Sequence, residues 1–274
     1  MKNKKIMKMI LLLFFICSAV EYIEFLFIRT DMTFIADNII TKIFIVFILF
    51  ISLKSFQLKF SDIGFKFKGI LKGIIYGISL GIITFTISYF IEILILTVNG
   101  HSPSIKFFIT NFALTGASNS LNASLTAVMI CIVVNILNAA AEEGLFRGLF
   151  LNLGQKKYSF KTANYIQALL FGIWHFVMVA VSLYDKTMNL QTAVVIGIGY
   201  IVLAGILGIE WGLCVSMTGT LWINMSEHFF NNFISNTIHV VSSTGIDELQ
   251  IIRIVMSNIL SLIIVIAVSK IVKK

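Results

Sequence analysis

Long apolar runs, interrupted by few charges, limit what this chain can fold into. Of its 274 residues, 58% are hydrophobic, 12% are charged and one is proline. A water-soluble domain carries about 25% charged and about 45–50% apolar residues, so a soluble globular enzyme is excluded. The same composition excludes a disordered chain, a collagen and a disulfide scaffold. The sequence therefore predicts a polytopic membrane protein.

We expect an all-α bundle of about eight transmembrane helices, because a helix needs roughly 20 apolar residues to cross a bilayer. The predicted spans are 6–28, 34–53, 73–98, 125–151, 163–184, 192–209, 217–241 and 251–269. The sixth span is short, and the break before the seventh is the least distinct. We predict a single integral-membrane domain, 1–274, whose core at 125–241 carries the motifs described below.

Basic residues sort to one side of these spans. With the N-terminus in the cytoplasm, the external segments hold only Arg29, Lys106, Lys186 and Arg253, whereas most lysines fall in cytoplasmic segments. This bias predicts that both termini are cytoplasmic. The net charge of +8 then reflects topology, and we expect the lipid bilayer and no nucleic acid as a partner. The richness in Lys, Ile, Asn and Phe indicates an AT-rich bacterial genome, and hence the bacterial plasma membrane.

Ionisable residues inside membrane spans are costly, so they are functional candidates. Glu142 and Glu143 are adjacent in the fourth span and point about 100° apart on a helix. Glu143 and Arg147 are four residues apart and can form an ion pair on one face. Glu142 lacks that partner and continues a polar stripe with Asn135 and Asn138. We therefore interpret Glu143 and Arg147 as structural support and Glu142 as the free, reactive carboxylate.

Two further spans carry polar residues at a matching depth. The fifth contains His175, and the seventh contains Asn224, His228 and Asn232 at spacings of four. At 1.5 Å per residue, Glu142, His175 and His228 lie roughly 14–18 Å from the cytoplasmic ends of their spans. We therefore expect the three to meet near the middle of the bilayer. A polar seam that holds helices together is the competing interpretation.

This set of side chains suits the activation of water against an amide. Glu142 is the candidate general base, and His175 can hold the water. His228 and Asn232 can donate hydrogen bonds to a developing oxyanion. Glu142, His175 and His228 are also a plausible zinc set with water, although no H-E-x-x-H motif is present. Because an amide is a poor zinc ligand, the preferred interpretation requires no cofactor, and zinc is the alternative.

The motifs E-E-x-x-x-R, F-x-x-x-H and H-x-x-x-N, each on its own predicted helix, resemble the CPBP family. That family comprises the type II CAAX prenyl endopeptidases and the bacteriocin-processing or Abi proteins. The resemblance covers about the C-terminal half, 125–241. It implies an intramembrane endopeptidase with a bundle of about eight helices. Such enzymes are often classed as metalloproteases, although a metal-free glutamate mechanism has also been argued for them.

The resemblance implies roles for residues already singled out: Glu142, His175, His228 and Asn232 are catalytic, and Glu143 and Arg147 support them. One position departs from the family pattern. The residue before the third-motif histidine is often small and apolar, whereas here it is Glu227. This extra carboxylate either tunes the site or faces a neighbouring helix.

Two functions are compatible with these features. The first is an endopeptidase that cuts a membrane-associated peptide or protein. The second is a non-enzymatic membrane protein of the same fold, such as a bacteriocin-immunity factor or a scaffold. Because bacteria generally lack protein prenylation, we expect a peptide precursor or leader as substrate rather than a true CAAX protein.

Overall fold

The computed structural model describes residues 4–33, 35, 37–109, 124–242 and 247–272. The expected helical class is confirmed, since these residues are almost entirely helical. The α-helices are α1 (Lys4–Ile23), α2 (Ile39–Phe56), α3 (Ile70–Val98), α4 (Leu125–Glu143), α5 (Leu151–Gln155), α6 (Phe160–Trp174), α7 (Val177–Tyr184), α8 (Leu190–Thr218), α9 (Trp222–Thr237) and α10 (Gln250–Val272). A π-helix, Gly144–Phe150, joins α4 to α5 into one continuous rod.

Seven helical rods in the described part of the chain are long and apolar enough to cross a membrane, and α9 is not among them. It nevertheless lies along α3 at backbone distance. A Cβ atom added to Gly73, Gly77 or Gly81 of α3 would collide with α9. The hydroxyl of Tyr89, near the other end of α3, donates to the carbonyl of Ile238, the residue after α9. Helix α9 therefore runs beside α3 through most of its depth and forms the eighth rod of the bundle.

Two predicted spans have different bounds in the structure. The sixth, 192–209, is part of α8, which continues to Thr218. The charged residue in this extension, Glu210, is buried and accepts a hydrogen bond of 2.5 Å from Ser261 of α10. The seventh, 217–241, is the shorter α9 followed by strand β2 (Ile238–Val241). Local hydropathy did not indicate either boundary, because both depend on contacts with other helices.

A two-stranded antiparallel sheet is the exception to the all-α expectation. Strand β1 (Ser104–Phe107) pairs with β2, with Ser104 opposite Val241 and Phe107 opposite Ile238. Strand β1 lies in the connection between the third and fourth predicted spans, residues 99–124. Residues 110–123 of that segment lie outside the described residues, as do residue 34, the predicted start of the second span, and the two chain ends. The cytoplasmic location of the termini stays a prediction.

The rod that carries the first motif lies in the centre of the bundle. Every residue from 141 to 151 is buried, so its charged side chains face protein rather than lipid. Small residues make this possible, because they let neighbouring helices approach closely. A Cβ atom on Gly144 would lie 2.8 Å from Leu49 of α2, and one on Gly148 would lie 3.0 Å from the carbonyl oxygen of Ile63.

Candidate active site

The ion pair predicted from the first motif is present. Arg147 Nη1 lies 3.1 Å from Glu143 Oε1, and both side chains are fully buried. The Arg147 guanidinium also lies 3.9 Å from the ring centre of Phe171 and 4.7 Å from that of Trp211. Such cation–π contacts compensate a buried guanidinium when hydrogen-bond partners are few. Arg147 therefore ties α4 to α6 and α8.

Glu142 is not the free carboxylate that the sequence suggested. Its Oε1 atom accepts a hydrogen bond of 2.6 Å from Lys42 Nζ on α2 and one of 3.2 Å from Trp174 Nε1 on α6. Its Oε2 atom is buried and has no hydrogen-bond partner. The two oxygens thus have different environments: Oε1 is anchored, and Oε2 is available.

His228 lies between the two adjacent glutamates. Its Nδ1 atom is 3.0 Å from Glu143 Oε1, and its Nε2 atom is 3.7 Å from Glu142 Oε2. The imidazole is stacked on the indole of Trp211 at 4.4 Å between ring centres. Asn224, one turn earlier on α9, donates to Glu143 Oε2 at 3.3 Å. The structure therefore brings the first and third motifs into direct contact, as the matching depths predict.

His175 follows the last residue of α6, where the fifth predicted span is broken before α7. Its Nδ1 atom lies 2.9 Å from the carbonyl oxygen of Phe171, which fixes the orientation of the ring. His175, His228 and Asn232 line one cavity of about 120 Å³ between α6, α8, α9 and α10, which we call the α9 cavity. Glu142 is not among the residues that line it.

Glu227, the departure from the family pattern, faces neighbouring helices. It accepts a hydrogen bond from Trp211 Nε1 of α8, and its Oε1 atom lies 3.5 Å from Ser261 Oγ of α10. Because Trp211 stacks on His228, the Glu227 carboxylate fixes the ring against which that histidine packs. It does not contact Glu142.

The side chains that could hold a metal are dispersed in the structure. No group of three or more His, Cys, Asp or Glu side chains within the described ranges is arranged to hold a metal. The ammonium of Lys42 lies beside Glu142 Oε1, where it would repel a dication. The three cysteines, Cys17, Cys131 and Cys214, are free and buried in separate parts of the bundle.

Sequence reasoning missed three residues that organise this site. Lys42 was recognisable only as a lone charge in an apolar span, and nothing local indicated its pairing with Glu142. Trp174 directly precedes the histidine of the second motif, and Trp211 follows the buried Glu210. Aromatic N–H donors beside motif residues were the available signal, since a buried indole usually hydrogen-bonds.

A family model described as Type II CAAX prenyl endopeptidase Rce1-like matches residues 124–234. The matched segment contains all three motifs and the contacts between Glu142, Glu143, Arg147 and His228. Comparison with curated proteins and with solved structures gives no significant match. Residues 124–234 are therefore similar to the Rce1-like type II CAAX prenyl endopeptidases, and the resemblance to the CPBP intramembrane proteases predicted from the motifs is confirmed.

Proposed function

We propose that the protein is an intramembrane endopeptidase that hydrolyses a peptide bond of a membrane-associated peptide or protein. One observation carries the proposal: Glu142 Oε2 is buried, has no hydrogen-bond partner and lies 3.7 Å from His228 Nε2. A carboxylate oxygen and a ring nitrogen at this separation can both contact one water molecule placed beside them. The other oxygen of Glu142 is held by Lys42 and Trp174, so the base is oriented before substrate binds.

In the proposed reaction, Glu142 Oε2 takes a proton from water as the water oxygen attacks the peptide carbonyl carbon. The carbonyl oxygen becomes an oxyanion, to which His228 and Asn232 donate hydrogen bonds. Glu142 then returns the proton to the amide nitrogen, the carbon–nitrogen bond breaks, and an acid and an amine leave. His175, which lines the same cavity, orients the water.

Glu143 holds His228 in the orientation that this role requires. The Nδ1 atom of His228 lies 3.0 Å from Glu143 Oε1, and its Nε2 atom lies 3.7 Å from Glu142 Oε2.

The mechanism we propose uses no metal. Support comes from Lys42, whose ammonium lies 2.6 Å from Glu142 Oε1 and would repel a dication bound to the same carboxylate. The ammonium also balances the charge of the Glu142 carboxylate inside the bundle. Lys42 thus places a positive charge beside the proposed base, as a metal ion places one in the active site of a metalloprotease.

We propose a peptide precursor or leader in the bacterial plasma membrane as the substrate. The test compares new N-termini in the membrane proteins of cells that express wild-type protein or Glu142→Gln. Glu248→Gln is the matched control, because Glu248 is an exposed glutamate in the segment before α10. We expect peptide termini that appear with wild type and Glu248→Gln and are absent with Glu142→Gln. Identical termini in all three would favour a non-enzymatic immunity or scaffold role.

A further inference from the structure

The α9 cavity holds polar groups that the proposed reaction does not use. Asn231 and Asn258 are buried, and Asn231 Nδ2 donates to Asn258 Oδ1 at 2.8 Å. Ser235 lines the same cavity at 1% exposure, and its Oγ atom has no hydrogen-bond partner. A buried hydroxyl without a partner is costly, so a ligand that supplies the partner is favoured.

Helix geometry places these groups relative to the catalytic residues. Ser235 is seven residues after His228 on α9, a distance of about 10 Å along the helix axis. An extended peptide advances about 3.3 Å per residue. With the scissile bond beside His228, a side chain two or three residues along an extended substrate therefore reaches the level of Ser235.

The residues that line the α9 cavity limit which substrate side chain can bind there. Among the described residues that line the α9 cavity there is no Lys, Arg, Asp or Glu. A charged side chain would lose its hydration without gaining a counter-ion, which is strongly unfavourable. The bond from Asn231 uses the oxygen of Asn258 and leaves the two N–H donors of that amide for a ligand. The hydroxyl of Ser235 can both donate and accept.

We propose that Ser235 and Asn258 form a specificity subsite for an uncharged side chain with an amide or a hydroxyl group. The recognised residue, Asn, Gln, Ser or Thr, lies two or three positions from the scissile bond. This inference rests on the proposed endopeptidase function and names the class of sequence that it cuts. Sites built to hydrogen-bond a polar group discriminate strongly against analogues that lack it.

Ser235→Ala is the sharpest variant, because it removes a hydroxyl that has no partner and so breaks no internal hydrogen bond. Asn258→Leu is the second variant. Ser257→Ala is the matched control on the same helix, since Ser257 is buried but donates to Thr84 Oγ1 of α3 rather than lining the cavity. Thermal unfolding in detergent verifies that each variant is folded.

The probe is a library of reporter peptides, each anchored in lipid vesicles by a transmembrane helix and carrying a randomised stretch beside it. Each variant is reconstituted with the library, and mass spectrometry reads the new N-termini. With wild type and Ser257→Ala, we expect Asn, Gln, Ser or Thr to be enriched at one position, two or three residues from the cut. With Ser235→Ala or Asn258→Leu, that preference should fall by about tenfold in favour of apolar residues.

The possible results separate the two proposals. Cleavage that depends on Glu142 but shows no amide or hydroxyl preference, or a preference unchanged in Ser235→Ala, overturns the subsite and leaves the endopeptidase standing. Products that are the same for wild type and Glu142→Gln overturn both. If Asn258→Leu fails to fold, Ser235→Ala decides the question alone.

Discussion

Lys42 Nζ on α2 lies 2.6 Å from Glu142 Oε1 on α4, and both side chains are almost fully buried. The two residues are 100 positions apart in sequence, so their pairing depends on how α2 packs against the central rod. An ion pair of this kind holds the carboxylate in one orientation and balances its charge inside a hydrophobic bundle. It connects the stability of the site to its chemistry.

Replacing Lys42 with an uncharged residue should lower both the stability of the protein and its cleavage activity. Lys42→Met leaves the Glu142 charge without its nearest counter-charge, and breaking a buried pair typically costs about 3–5 kcal/mol. We expect a lower unfolding temperature in detergent and loss of reporter cleavage, with Lys42→Arg milder in both. The double variant Lys42→Met, Glu142→Gln removes both charges, so its unfolding temperature should be higher than that of Lys42→Met alone. A Lys42→Met protein with wild-type stability and cleavage would show that the pair is dispensable.

Glu142→Gln should separate activity from folding. The Gln oxygen can still accept hydrogen bonds from Lys42 and Trp174, and the acidic neighbours Asp37 and Glu21 remain near the Lys42 ammonium. We therefore expect the protein to accumulate in the membrane and to show no cleavage. Arg147→Ala and Glu143→Gln should lower the folded yield as well, because each leaves a buried charge unpaired. Size-exclusion profiles of detergent extracts measure the yield. Full cleavage by Glu142→Gln would refute the hydrolase interpretation.

The metal-free mechanism predicts less than stoichiometric zinc in protein purified in detergent. It also predicts that Asn232→Ala lowers kcat by about 10²–10³ with little change in KM, since loss of an oxyanion donor acts on the transition state. Elemental analysis and steady-state kinetics provide the two measurements. One zinc per chain, with activity lost to a chelator and restored by zinc alone, would place His228 among the metal ligands and contradict our assignment.

The topology can be tested with introduced cysteines. The native cysteines are buried, so a membrane-impermeant maleimide should label only new positions at the surface. We expect Ser102→Cys to be labelled from outside intact cells, and Lys157→Cys only after the membrane is opened. Both residues are exposed in the structure. Labelling of Lys157→Cys in intact cells would reverse the orientation derived from the lysine distribution.

An ion-pair cluster near β2 should make stability depend on pH. Burial raises the pKa of Asp247, but hydrogen bonds from His239 and Arg253 outweigh this effect and leave the pKa below its usual value. A depressed pKa contributes stability above the unfolded-state value of about 3.9, and this contribution is lost as the pH falls through the folded-state value. The difference in unfolding temperature between wild type and Asp247→Asn should therefore be largest near neutral pH and narrow below about pH 4. A difference in unfolding temperature that stays constant from neutral pH to below pH 4 would show that ionisation of Asp247 does not contribute to stability.

Local sequence rules predicted the parts of the site that lie on one helix. The spacing of Glu143 and Arg147 indicated their ion pair, and the matching depths of Glu142 and His228 indicated that two distant helices meet. Lys42 could not be assigned to Glu142, because no periodicity links α2 to α4. Hydropathy predicted the span 217–241 that contains α9 but not its bounds. The polar residues of α9 are tolerated because neighbouring helices, among them α3, α4 and α8, cover them.

The close packing of α9 against the glycines of α3 also bears on how the protein is made. A short helix that carries Glu227, His228 and several amides gains little by entering lipid alone. It becomes stable in the bilayer only when it packs against α3, which is synthesised much earlier, and when α10 packs over the side of α9 that α3 leaves uncovered. His228 therefore reaches Glu142 only after α9 has packed against α3, so the proposed catalytic centre is incomplete in a half-inserted chain.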